Sequence, residues 1–72
     1  MSYTLTLDLG GLPEARRAVV RSVLSEYEVK VSTYGDVLDV TSRDEETTRE
    51  ACRVAAEKAG KTLDELVINL FA

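Results

Sequence analysis

The sequence predicts an α+β domain: a four-stranded antiparallel sheet with two helices on one face, in the order strand, helix, strand, strand, helix, strand. Three observations carry this. Residues Tyr3 to Leu9 alternate apolar and polar without a break, the period of a strand with one wet and one buried face. Two stretches, near residues 13–26 and from Ser42 to Ala59, repeat their apolar residues at helical spacing. Two more alternating runs flank Tyr34-Gly35-Asp36, a tight-turn sequence.

In the first strand Tyr3, Leu5, Leu7 and Leu9 point one way, and Thr4, Thr6 and Asp8 the other. Gly10-Gly11 ends it. Pro13 then suits the first turn of a helix, where its missing N–H is no loss, and Glu14 suits the positive end of the helix dipole. Leu12, Ala15, Val19, Val20, Val23, Leu24 and Tyr27 form one stripe, so a helix is expected over roughly 13–26. The second strand covers about 27–33, with Tyr27, Val29, Val31 and Thr33 on one face. The third covers 37–42, with Leu38 and Val40 inward. A loop of Tyr34-Gly35 pairs Val31 with Leu38. A loop of Gly35-Asp36 pairs Val31 with Val40 and Ser32 with Asp39. Both keep apolar against apolar, so the register stays open.

Ser42-Arg43-Asp44-Glu45 reads as a capping box with Ser42 at the N-cap. The second helix runs from there to Ala59 and stops at Gly60. Its stripe is Ala51, Val54, Ala55 and Ala59, with Thr47, Thr48 and Cys52 on the flanks. Glu45–Arg49 and Arg53–Glu57 are i,i+4 pairs, each contributing about 0.2–0.5 kcal/mol. The closing stretch has two readings. As a strand over 64–71, Leu66, Ile68 and Leu70 face the core, while Val67, Asn69 and Phe71 face outward. As a helix, Leu63, Leu66, Val67, Leu70 and Phe71 form a stripe, and Thr62 with Glu65 cap it. The strand is adopted because the first strand otherwise lacks a neighbour on one side.

This order resembles the ferredoxin-like split βαβ fold, a two-layer sandwich with strand order 4-1-3-2. The open face then carries Thr4, Thr6, Asp8, Glu28, Lys30, Ser32, Val37, Asp39, Thr41, Val67, Asn69 and Phe71. Val37, Val67 and Phe71 form a modest apolar patch there, suited to dimer contact.

Seventy-two residues make one domain, 1–72, and a chain this short buries only about 60% of its unfolded surface. Nine basic and thirteen acidic residues leave a net charge of −4, which opposes a phosphate backbone as partner. The chain has no histidine, which removes Ser-His and Cys-His nucleophiles, a histidine base and His-containing zinc sites. A single cysteine gives no intrachain disulfide. No apolar run nears the roughly 18 residues of a membrane span. The opening strand is not a basic, apolar leader, so no signal peptide and a cytoplasmic location are expected.

No catalytic, cofactor-binding or metal residue set emerges, and no cofactor is implied. Cys52 reads as a small apolar residue on an alanine-rich helix. Arg16, Arg17 and Arg21 read as a solvated basic edge flanked by Glu14 and Glu26. Asp44-Glu45-Glu46 sits where a helix dipole favours acids. Asp8-Leu9-Gly10-Gly11-Leu12 is similar to the strand-to-helix turn of ACT regulatory domains. That resemblance implies amino-acid binding at the turn across a dimer, though the family's Pro-Gly pair is absent. Ala51 to Leu70 resembles the helix-turn-helix half of ribbon-helix-helix DNA-binding antitoxins, which implies a helical closing stretch and duplex DNA as partner.

Relatives of the predicted fold are set apart by what is missing. The outward positions Thr4, Thr6, Asp8, Val37, Asp39 and Thr41 supply no aromatics for stacking RNA bases. The first loop has neither the Cys-x-x-Cys of heavy-metal-associated domains nor the arginine-bearing anion cradle of acylphosphatases. Alternation, capping box, Pro start, Gly stop and hairpin turn all agree with one fold and break no rule for a site. In this the chain is similar to de novo designed or redesigned ferredoxin-like domains. The expected role is a stable, non-enzymatic scaffold or insertion module with adjacent termini, monomeric or weakly dimeric through the open face or an edge strand. No nucleic acid, membrane or other partner is required.

Overall fold

A computed structural model describes residues 1–68. Its elements are β1 (Tyr3–Asp8), α1 (Glu14–Leu24), β2 (Lys30–Tyr34), β3 (Val37–Ser42), α2 (Glu45–Lys58) and α3 (Leu63–Leu66). The fold is α+β, but the sheet has three antiparallel strands in the order β1-β3-β2. The expected four-stranded sheet of order 4-1-3-2 is not formed, because a third helix takes Leu63–Leu66 from the strand placed over 64–71. The cause is local. Glu65 caps the helix: its carboxylate accepts from the Thr62 backbone N–H at 2.9 Å and from the Thr62 hydroxyl at 3.1 Å. A helix end satisfied this way wins over the pleat preference of Leu66 and Val67.

Only a single bridge follows. Val67 lies antiparallel opposite Leu7, and the Ile68 N–H donates to the Thr6 carbonyl at 2.9 Å. Sharing Leu7's side of the sheet, Val67 packs against the core rather than facing outward. The expected open-face patch therefore loses Val67. Asn69, Leu70 and Phe71 lie outside the described residues.

The first strand behaves as its alternation dictates. Leu5 and Leu7 are buried, opposite Val40 and Leu38, and Leu9 is buried just beyond the strand. The hairpin takes the Gly35-Asp36 loop, with Tyr34 opposite Val37, Ser32 opposite Asp39 and Val31 opposite Val40. Gly35 has φ 61°, which a glycine adopts without the Cβ clash that Tyr34 would meet.

α2 lies over β1 and β3, and α1 packs mainly against α2. The buried face of α2 is Thr48, Ala51, Cys52, Ala55 and Ala56, followed by Ala59. It is turned from the expected stripe, since Thr48 and Cys52 are central rather than flanking and Val54 is half-buried. The N-cap is Asp44, not Ser42, and its carboxylate accepts from the Thr47 N–H at 2.7 Å. At the other end Gly60 (φ 82°) closes a Schellman turn, with Gly60 N–H to Glu57 O and Lys61 N–H to Ala56 O. Glu45–Arg49 and Arg53–Glu57 form their ion pairs at 2.7 and 3.1 Å.

In α1 only Val20 and Leu24 are buried, and Ala15 and Val19 are exposed. Strand β2 begins at Lys30 rather than 27, and all five of its residues are exposed. Val31 points to the helix side but remains 40% exposed. Leu7→Ala is therefore expected to cost about 3 kcal/mol, within the range for a buried leucine. Val31→Ala should cost less than about 1 kcal/mol. Urea titration monitored by circular dichroism reads both.

Candidate functional site

The turn after β1 is the place where the sequence suggests a ligand. Its own side chains close it. The Gly10 N–H donates to Asp8 Oδ1 at 2.9 Å, and the Leu12 N–H to the Leu9 carbonyl at 3.0 Å. The Leu9 N–H reaches across to the Asp36 carbonyl at 2.8 Å, tying the turn to the hairpin tip. Arg17 completes the tie. Its Nε donates to Leu12 O at 3.0 Å and its Nη1 to Asp36 Oδ1 at 2.7 Å, with Nη2 3.5 Å from Gly10 O. The guanidinium fork thus directs three of its five donors to groups of the chain.

Arg16 is directed elsewhere. Its Nη1 donates to the Ala59 carbonyl at 2.7 Å, at the negative end of α2. A Cβ on Gly60 would collide with that Nη1, so the glycine serves both its positive φ and the arginine's approach. The basic edge expected from Arg16, Arg17 and Arg21 is therefore divided. Two arginines staple separate elements, and Arg21 lies 3.9 Å from Glu14.

A second cluster was not legible as such. Ser42 and Thr48 are buried, with their hydroxyl oxygens 2.6 Å apart. Ser42 Oγ donates to the Asp44 carbonyl at 2.8 Å, and Thr48 Oγ1 lies within 3.2 Å of the Asp44 and Tyr3 carbonyls. No base adjoins either hydroxyl through these bonds, so the cluster joins β1, β3 and α2 rather than activating a nucleophile. The signal in the sequence is the i, i+6 pair of hydroxyl residues around a helix N-terminus, which the capping-box reading used up.

An open cleft lies beside this cluster, between the chain's first residues, the α1–β2 connection and the start of α2. Glu26, Glu28, Glu46 and Glu50 line it together with Lys30 and Arg43, and Tyr27 and Val29 add apolar surface. No group of three or more potential metal ligands is assembled among the described residues. Asp44 holds its carboxyl below the usual range through the Thr47 N–H bond, and Glu65 does the same through Thr62.

On the open sheet face the hydroxyls pair across strands. Thr4 Oγ1 meets Thr41 Oγ1 and Thr6 Oγ1 donates to Asp39 Oδ1, both at 2.8 Å. Val37 is half-buried there.

Cys52 is fully buried, and burial pushes its thiol up to about 12. The thiolate is the form that attacks or binds a metal, and burial disfavours it here. No known protein family, curated protein or solved structure matches this chain. No helix of the described residues is long and apolar enough to cross a membrane.

Two outcomes are expected. Arg17→Ala should cost about 1–3 kcal/mol in denaturant unfolding, as for lost hydrogen bonds from a charged donor, and Arg17→Lys should recover only part of it. The second concerns pH. The folded thiol holds its proton to about 12, whereas the ordinary value is 9.0. Its contribution is intact below pH 9 and is lost as pH rises above that, because the unfolded chain then releases a proton the folded chain keeps. Thermal unfolding at pH 7.5 and 10 should show this loss, reduced in Cys52→Ala.

Proposed function

We propose that this chain is a non-enzymatic structural module of the insertion type, accepted into a host protein as a folded unit. The observation that carries the reading is the antiparallel meeting of its outer segments. Val67 sits opposite Leu7, Ile68 bonds to Thr6, and the chain at that point heads back toward the start of β1. Segments that enter and leave side by side permit grafting with little strain on the host.

The chemistry of the side chains supports the same reading. The arginines of the first turn hold the turn and the end of α2. The buried hydroxyls join a strand pair to a helix, and the one thiol is buried and protonated. Side chains so committed belong to a sequence composed for a fold rather than a reaction, as in a designed or redesigned domain. The reduced, buried cysteine suits a reducing compartment such as the cytoplasm. A net charge of −4 disfavours nucleic acid. The module functions as a monomer or weak homodimer.

The test is to place residues 2–68 in a surface loop of a fluorescent host. Host fluorescence should persist, and the module should unfold within about 5 °C of its isolated midpoint, a shift of roughly 1 kcal/mol or less at this size. A quenched host, or a module that no longer unfolds cooperatively, sinks the reading.

A further inference from the structure

Strand β2 is an edge. Among the described residues it pairs with β3 on one side only, and all five of its residues are exposed. Among the described residues, and apart from Met1, the exposed large apolar residues are Val19, Val31 and Tyr34, so two of these three lie on this short strand.

The hairpin decides which backbone groups are free. A two-residue loop makes its flanking pair, Tyr34 and Val37, a hydrogen-bonded pair. Alternation then turns the amides of Lys30, Ser32 and Tyr34 toward β3. Those of Val31 and Thr33 turn outward, leaving two N–H donors and two carbonyl acceptors along the free edge.

We propose that β2 pairs antiparallel with β2 of a second copy of this chain, about a two-fold axis through Ser32. This is the register in which all five residues of both strands overlap. It sets Val31 against Thr33 of the second copy and the reverse. Outward amides meet outward amides, and four backbone hydrogen bonds form.

The side chains of the strand fit the same axis. On the helix side a half-exposed valine faces a threonine on each side of the axis. On the open side Lys30 faces Tyr34 of the second copy, twice, an ammonium against an aromatic ring. No like charges stand directly opposite within the five residues. Lysine on an edge commonly blocks pairing, but in this register each Lys30 meets a ring rather than another lysine.

The contact is small, so the dimer is weak, with a dissociation constant on the order of 0.1–1 mM. Each copy carries −4, so salt should strengthen association by screening the repulsion. The pairing does not depend on the insertion reading, because it leaves β1 and the outer segments untouched.

Sedimentation equilibrium near 1 mM protein should give a mass rising from 7.9 kDa toward twice that value, more so at high than at low salt. Thr33→Pro removes an outward N–H and no bond to β3, an edge position where proline is tolerated. It should keep the native circular dichroism and stay monomeric. Covalent trapping tests the register without relying on the proline variant. The two Ser32 residues form a non-hydrogen-bonded pair, whose Cα spacing of about 4.5 Å suits a disulfide. Ser32→Cys should therefore oxidise to a linked dimer at least tenfold faster than Lys30→Cys, with the buried Cys52 taking no part. A monomeric mass throughout, a dimer that survives in folded Thr33→Pro, or equal trapping rates at 32 and 30 would each overturn the proposal.

Discussion

The structure depends on how closely α2 can lie on β1 and β3. Ala51, Ala55, Ala56 and Ala59 present little more than methyl groups, and Cys52 fills the space between them. The large side chains come from the sheet and its continuation, Leu5, Leu7, Leu9, Leu38 and Val40, and from α1, Val20 and Leu24. A helix of small residues on a floor of leucines gives dense packing at short range, which a chain of this size needs to retain a margin of stability. One consequence is unequal cover. With α2 over the two strands β1 and β3, and α1 set mainly against α2, no helix shields β2, and its residues stay exposed.

The polar groups follow from the same geometry. Where loops approach the core, their backbone groups are met by arginines and hydroxyls from neighbouring elements. Arg17 holds the first turn to the hairpin tip and Arg16 holds α1 to the end of α2. No buried side-chain nitrogen or oxygen among the described residues lacks a partner. Satisfied groups of this kind fix loops in place.

Much of this was legible in the sequence. The alternation of Tyr3 to Leu9 gave the first strand and its inward leucines. The small-residue stripe gave α2, and Gly60 marked its end. Four features were not legible, each for a physical reason. Leu63-Asp64-Glu65-Leu66 carries helix and strand spacing at once, and the Thr62–Glu65 cap settles it through an end effect that periodicity does not register. Ser42 and Asp44 both suit an N-cap. Asp44 takes the role because Ser42 is drawn inward to Thr48, a contact between segments six residues apart. The exposure of Val31 depends on where two helices come to rest, and no local pattern encodes that. For the first turn the sequence located the arginines but not their partners, since Asp36 and Ala59 are brought to them only by the tertiary fold.

A surface of methyl groups is smooth, and a smooth helix can slide or roll on its floor at little cost. The hydroxyl pair of Ser42 and Thr48 opposes this, because a shift of one turn would break the bond between them and take Thr48 Oγ1 from the Tyr3 carbonyl of β1. The pair acts as a dowel, joining one position along the helix to one position on the strands beneath it.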